Sequence, residues 1–318
     1  MAITLTDNEF FTGLSNLALV VKLYATNTSD TPQKFVDSFT TDILEYGNQK
    51  LFTFSKLPEV SDYSPNTSLL TVTKVDTNEE SLIISEKKVI KSSYNEYILT
   101  SAFTSESGMN EFVGYILGQM ESAKTDFLYD VIITDLFGKV FTGEKQNHSI
   151  KLIDTSAIND FTSLNSAELI NQKRISIGIQ DDLQNIQVFN DKYNGKTGYK
   201  QALAVSDMRL LFCNPYYNEN VMNLYATLLK SEVLDGAFAK PELTVIPSIK
   251  ITSTNNNVIG FIMHKRAYQL FYKFVFMGSF FDTSNLTINN FLHFWYGKGW
   301  LDNLPAVKLV GDPVKPTV

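Results

Sequence analysis

The sequence predicts an α+β fold. Three observations carry that prediction. Short β-branched and aromatic runs occur on both sides of one long stretch with helical period, between Ser107 and Gly138. The elements follow one another as strands, long helix, helix, strand, helix and strands, without regular strand–helix alternation. No internal repeat is visible. A chain of 318 residues is long enough for one large domain or two to three small ones around a sizeable core.

In chain order, residues 1–45 read as a mixed N-terminal arm. "NEFFTGLSNLALVVKLYA" clusters apolar residues without a long amphipathic period, and "TNTSDTP" (Thr26–Pro32) reads as a loop. "KLFTFSKLP" (Lys50–Pro58) is a strand. "LLTVTKV" and "SLIISEKKVI" flank the turn "DTNEE" (Asp76–Glu80) and predict a hairpin. Its faces are polar, so it has no core of its own and needs something outside the chain to pack on.

Ser107–Gly138 predicts the clearest helix. Its apolar stripe is Phe112, Val113, Ile116, Leu117, Met120, Ala123, Phe127 and Val131. Ser107 is the expected N-cap and Gly138 the stop. Gly114 and Gly118 each cost a helix about 1 kcal/mol, which predicts close packing there.

"SAELINQKRISIGIQDDLQNIQVF" (Ser166–Phe189) predicts a second helix. A glycine-rich loop, "NGKTGYK", and the buried strand "LLFCN" follow. Asn214-Pro215 breaks the chain direction. Val221, Leu224, Tyr225, Leu228 and Leu229 then fall at helical spacing, so the stretch Leu210–Gly236 reads as a structural joint. "ELTVIPSIKI" and "NVIGFIMH" are strands, and "HKRAYQL" reads as a basic-aromatic helix start. "LHFWYGKGWLDNLPAVKLV" reads as two apolar strands around a glycine-rich bend, then Pro305 and a last strand.

Composition narrows function by exclusion. Net charge is −7, from 27 basic and 34 acidic residues, which argues against nonspecific binding to nucleic acid or anionic membranes. The single cysteine, Cys213, excludes an intrachain disulfide. The N-terminus lacks the basic region of a secretory signal. The most apolar stretch, "LFYKFVFMGSFF" (Leu270–Phe281), contains Lys273 and is too short to span a bilayer.

Catalytic motifs are equally sparse. "NGKTG" (Asn194–Gly198) resembles the end of a phosphate loop. However, Asn190 stands where the first glycine belongs, and a helix precedes it, so it reads as a flexible loop. His148, His264 and His293 have no histidine or cysteine at ligand spacing, and His264 reads as part of an exposed turn. No Gly-x-Ser-x-Gly motif occurs. Cys213, at an apolar strand end, reads as a buried structural thiol. Glu79-Glu80 reads as a turn, Asp181-Asp182 as a solvated helix face and Lys87-Lys88 as a solvated strand edge. No catalytic, cofactor-binding or metal-binding residue is expected, and no cofactor.

The C-terminal order "LLFCNP", "NLYATLLKSEVLDG", "LTVIPSI", "NVIGFIMHKRAYQL" and "DNLPAVKLV" resembles the end of tailed-bacteriophage major capsid proteins. These are the shell subunits of the Hong Kong 97-like fold. The upstream hairpin and long helix are similar to that family's extended loop and spine helix.

The resemblance covers about residues 45–312 by element order. It implies an N-terminal arm (1–45), an extended loop with flanking peripheral-domain strands (46–105), and a spine helix with peripheral domain (106–153). An axial domain (154–289), and a return strand to the peripheral domain with the C-terminal tail (290–318), complete it. The final strand, near Asp302–Val310, is expected beside the spine helix, and the hairpin Asp62–Tyr97 is expected to project.

The implied function is a structural protein, not an enzyme. It self-assembles through pentamers and hexamers into an icosahedral head in the host cytoplasm and encloses double-stranded DNA without specific binding or membrane contact. The implied partners are a separate scaffolding protein, a portal and decoration proteins. Neither a fused scaffold, removal of the N-terminus, nor cross-linking through Lys74, Lys87, Lys88 or Lys91 is expected. Two alternatives remain at this point: an encapsulin-type nanocompartment shell, and a cytosolic enzyme or binding module with an unrecognised site.

Overall fold

The computed structural model describes residues 30–41, 48–58, 60, 62, 74–95, 106–155, 158, 160–213 and 241–314. The chain divides into two compact units. The first comprises Met1–Lys50, Leu82–Leu136 and Gln269–Gly299; the second comprises Leu51–Ser81, Phe137–Tyr268 and Trp300–Val318.

The first unit is built on a long helix and a three-stranded sheet. Helix α1 (Thr31–Phe39) has Pro32 in its first turn, where a missing N–H costs nothing. That explains why a proline-containing stretch read as a loop leads straight into a helix. α1 buries Phe35, Val36 and Phe39, and the Phe35 ring centroid lies 4.4 Å from that of Tyr129.

Helix α2 (Glu106–Gly138) has 33 residues and is about 50 Å long at 1.5 Å per residue. It begins before Ser107, so Ser107 is inside the helix and is not its cap. The buried stripe agrees with the expectation at Ile116, Leu117 and Met120. It then continues through Lys124, Leu128, Ile132 and Leu136, whereas Ala123 is exposed and Phe127 and Val131 are half-buried. Lys124, being charged, falls outside a stripe defined by apolar residues. Its ammonium bonds Glu121 and lies 5.4 Å over the Tyr272 ring, while its aliphatic stem fills the stripe. The expected close packing at Gly118 is not found: a Cβ there would meet nothing within 4 Å.

The sheet of this unit has the order β3 (Glu86–Asn95), β9 (Thr287–Trp300), β8 (Tyr268–Asp282). β3 runs antiparallel to β9 over ten residue pairs, from Glu86↔Tyr296 to Asn95↔Thr287. Two expectations change here. "HKRAYQL" is not a helix start: after a tight turn the chain enters β8 directly, with the Ala267 N–H donating to the His264 carbonyl. "FWYGKGW" is not a bend but continuous strand. At Gly297 and Gly299, β9 passes very close to residues 82 and 83. A Cβ on Gly297 would lie 2.2 Å from the Ile83 carbonyl oxygen, and one on Gly299 2.2 Å from the Leu82 side chain.

The predicted hairpin also changes. Thr77–Glu80, read as its turn, lies inside β2 (Thr77–Ile83), which pairs with β1 (Gln49–Ser55). β3 belongs to a different sheet. Both strands thus find partners within the chain, which local polarity could not reveal. Lys56 and Asp76 close the base of the β1–β2 ladder with an ion pair of 2.7 Å. The remainder of the expected projection, including residues 63–73, lies outside the described residues.

The second unit holds a five-stranded mixed sheet in the order β4 (Asn147–Ile153), β10 (Ala306–Val314), β7 (Val258–His264), β5 (Met208–Cys213), β6 (Glu242–Ile246). β10 is parallel to β4 and antiparallel to β7, and β5 is parallel to β6 and antiparallel to β7. The final strand therefore belongs to this sheet, between β4 and β7. All six residues of β5 are buried, as expected for an apolar strand covered on both faces.

Helix α3 (Phe161–Ile186) starts at an Asp160 cap that accepts from the Ser163 N–H at 2.8 Å. It drives Ile175, Ile179, Leu183 and Ile186 onto Leu210, Phe212, Ile262, Val307 and Leu309 of the sheet. Residues 214–240, including Pro215, Leu224, Leu228 and Leu229 of the expected joint, lie outside the described residues.

Candidate assembly surface

One face of the β3–β9–β8 sheet packs on α2. Phe294 and Tyr296 lie against Phe127, with ring centroids 5.9 and 5.5 Å away, and Lys298 pairs with Asp135 at 2.8 Å. Side chains alternate along a strand, so the odd-numbered residues of β9 point the other way. Phe291, His293 and Trp295 share that outward face with Lys87, Val89 and Lys91 of β3. Lys87 lies 5.6 Å over the Trp295 ring and Lys91 5.7 Å over the Phe291 ring. Phe276 and Phe280 of β8 complete it beside His293 and Phe291. Phe280 remains 62% exposed and Phe276 51%.

The outward positions of β3 and β9 carry no carboxylate. A contiguous aromatic face with cations stacked on its rings has the aromatic enrichment of protein–protein interfaces.

Its outer end is held rigid. The Asp282 carboxylate accepts from Ser284 N at 2.9 Å, Ser284 Oγ at 2.5 Å and Asn285 Nδ2 at 2.9 Å. Those bonds, led by the Ser284 hydroxyl, lower its pKa. The turn places Leu286 at φ 49°, a left-handed conformation costly for a branched residue, and leaves its side chain exposed.

Each residue considered for chemistry has a structural role. His148 of β4 meets the buried Asp182 of α3 at 2.6 Å through Nδ1, and Tyr193 Oη donates to the other Asp182 oxygen at 3.1 Å. Asp182 is thus not on a solvated face. Its hydrogen bond, opposed by desolvation, raises the His148 pKa. The Tyr193 hydroxyl is pushed above its usual range, chiefly by burial. The effect is to tie β4, α3 and the following loop together.

That loop contains Asn194–Gly198, and it is neither flexible nor a phosphate cradle. Gly195 N–H donates to the Asp302 carbonyl at 2.7 Å, Gly198 N–H to the Asp191 carboxylate at 2.6 Å, and Asn194 Nδ2 to the Tyr199 carbonyl at 2.8 Å. An anion would find those donors engaged and a carboxylate beside them.

Cys213 is fully buried, and burial pushes its thiol up to about 12, in agreement with the structural reading. His264 is the half-buried last residue of β7 and not part of an exposed turn; its Nδ1 accepts from the Arg266 N–H at 3.0 Å, and burial lowers its pKa. Glu80, read as part of a turn, accepts from Asn303 Nδ2 at 2.8 Å, and desolvation raises its pKa. Among the described residues no group of three or more His, Cys, Asp or Glu side chains could hold a metal, and no helix is long and apolar enough to cross a membrane.

The outward aromatic face was the feature sequence reading missed. The aromatic density of "LFYKFVFMGSFF" (Leu270–Phe281) bears on membrane span alone when it is read locally. The signal was the lack of polar alternation in a strand long enough to reach beyond the core.

Fold and surface together define a subunit whose role is association. The model of the Phi29-like phage major capsid protein family matches residues 6–310, and the chain belongs to that family. The structure is similar to the capsid of the cyanophage P-SCSP1u, at 14% identity over 88% of each chain with a TM-score of 0.55. It is also similar to the capsid of Staphylococcus phage Andhra, at 10% identity over 86% of this chain and 82% of that one with a TM-score of 0.53. A search of the curated proteins finds no match. The fold is thus the Hong Kong 97-like fold of tailed-phage capsids, and the protein is a shell-forming component of the virion capsid. The nanocompartment and enzyme alternatives find no support in these likenesses.

Proposed function

We propose that the protein builds an icosahedral head from pentamers and hexamers of itself. It encloses double-stranded DNA without binding it specifically, and it catalyses no reaction. The observation that carries this reading is the outward aromatic face of β3, β9 and β8: an apolar surface of this kind is stabilised when a neighbour removes it from water.

In the same reading α2 is the spine of the peripheral domain, and residues 1–45 form an arm. Residues 46–105 supply the extended loop and its flanking strands, and 106–153 the spine helix with its peripheral domain. Residues 154–289 form the axial domain and 290–318 the return strand and tail. The return of Gln269–Gly299 to the unit that holds most of α2 supports a return strand, placed in β9. A separate scaffolding protein, a portal and decoration proteins are the partners the reading calls for.

Negative-stain microscopy and sedimentation of the purified full-length chain test it. Closed shells or tubes are expected; a particle of one subunit's mass under all conditions would overturn it. No covalent cross-link joins the subunits, so boiled particles are expected to run as a single monomer band on a denaturing gel.

A further inference from the structure

β1 and β2 form a two-stranded ribbon, and a ribbon of two strands is only marginally stable by itself. Lys56, just after β1, lies 5.5 Å over the Tyr199 ring and holds one end. Glu80 of β2 meets Asn303, in the turn between β9 and β10: Asn303 Nδ2 donates to Glu80 Oε1 at 2.8 Å. That bond leaves one atom of each group over. Glu80 Oε2 and Asn303 Oδ1 are both buried, and among the described residues neither has a hydrogen-bond partner. Asn303 as a whole is 0% exposed. Both atoms are acceptors while the carboxyl is ionised, so each loses its hydration with nothing in return. Carboxyl and carboxamide are planar forks of like size. Once Oε1 and Nδ2 are joined, Oε2 and Oδ1 are the atoms left to face each other. Asn78 Nδ2, two residues earlier on the same face of β2, is buried too and donates to neither.

We propose that a single proton on Glu80 Oε2 bridges the two acceptors, and that the resulting ring of two hydrogen bonds is a pH-sensitive clasp holding β2 to the turn ahead of β10. Oε2–H donates to Asn303 Oδ1 while Nδ2–H donates to Glu80 Oε1, so one proton satisfies both orphaned atoms. A metal ion fits less well: calcium takes about six to eight oxygen ligands and magnesium keeps several waters, whereas two buried acceptors meet here. Desolvation is the largest influence on Glu80, and it opposes ionisation. The nearby charge of Asp302, itself held by Lys139 at 2.5 Å, opposes it as well. Lys196 and the N–H groups of Asn303 and Asp302 favour it, and the balance raises the pKa. The stabilisation is therefore complete below the ordinary value of 4.5 and is lost as pH rises through the raised value. Above it, an ionised Oε2 faces Asn303 Oδ1 and β2 is held less firmly. The clasp lies within one chain and does not depend on assembly.

Hydrogen–deuterium exchange of the full-length protein tests the clasp, read at the amides of residues 77–83 and divided by the intrinsic exchange rate. In the parent, opening should rise by up to about tenfold per pH unit from 4.5 to the raised pKa and then level off. Glu80→Gln puts an N–H donor where the acid O–H stands. It should open no more than the parent does in acid, and without pH dependence. Infrared difference spectra give a second readout, taken just above pH 4.5, where most exposed carboxyls are ionised. The parent should show the C=O stretch of a protonated acid that Glu80→Gln lacks. The clasp is wrong if Glu80→Gln keeps the parent's pH profile, if it opens more than the parent at every pH, or if the acid band is the same in both. Calcium chloride that suppresses opening in the parent but not in Glu80→Gln would put a cation in the proton's place and overturn it as well.

Discussion

The two sheets of this protein answer the same problem in different ways. The five-stranded sheet of the second unit is finished within the chain: β5 is buried along its whole length, and α3 covers one face. Among the described residues, the three-stranded sheet of the first unit is covered on one face only, where Phe294 and Tyr296 meet α2. Its other face offers Phe276, Phe280, Phe291 and Trp295 outward, and aromatic residues appear on both sheets. What separates a core from an interface is whether the same chain supplies the second layer.

Phe261 and Phe280 put that contrast to its hardest test. Phe261 is buried in β7, with its ring 5.4 Å from Phe137. Phe261→Ala should cost about 3–5 kcal/mol of folding stability in urea melts. Phe280→Ser should change stability by no more than about 0.5 kcal/mol yet sharply lower the yield of sedimenting particles. Equal losses of stability would erase the distinction.

Glycines extend the comparison to the backbone. Gly297→Ala forces a methyl group onto the Ile83 carbonyl and should destabilise by about 1–3 kcal/mol in the same melts. Gly118→Ala meets no described residue within 4 Å outside its own helix turn and should stabilise the unassembled subunit by about 1 kcal/mol through helix propensity.

A smaller effect concerns pH. The folded-state pKa of His148 is raised, mainly by its bond to Asp182. Its contribution to stability is therefore complete below its ordinary value near 6.5 and is lost as pH rises through the raised value. His148→Gln should flatten the decline in melting temperature over that range. The smallest signal is expected at Cys213: with its thiol pushed up to about 12, thiol reagents at pH 8 should label it only after denaturation.

Much of the fold was legible in local pattern. The long helix, α3, the apolar strands β5 and β7, and the buried thiol all declare themselves through residues close in sequence. What local pattern could not show was pairing between distant segments. Glu80 looks like a turn residue until Asn303 is beside it, and Asp182 looks solvated until His148 and Tyr193 reach it. Gly297 suggests a bend unless Ile83 is known to pass 2.2 Å from where its Cβ would stand. The outward aromatic face escaped notice for a related reason: an exposed and a buried phenylalanine read alike until the layer above them is known.

The place of β10 in its sheet bears on when the second unit is complete. β10, the last described strand, lies between β4 and β7 and, among the described residues, joins β4 to the rest of the ladder. During synthesis β4 therefore waits for its neighbour while roughly half the chain is still being made, on the order of ten seconds or more at about 5–20 residues per second. Until then the second unit has no complete sheet. The strand order thus makes the five-stranded sheet of the second unit a late product of synthesis, completed only once the residues of β10 have emerged.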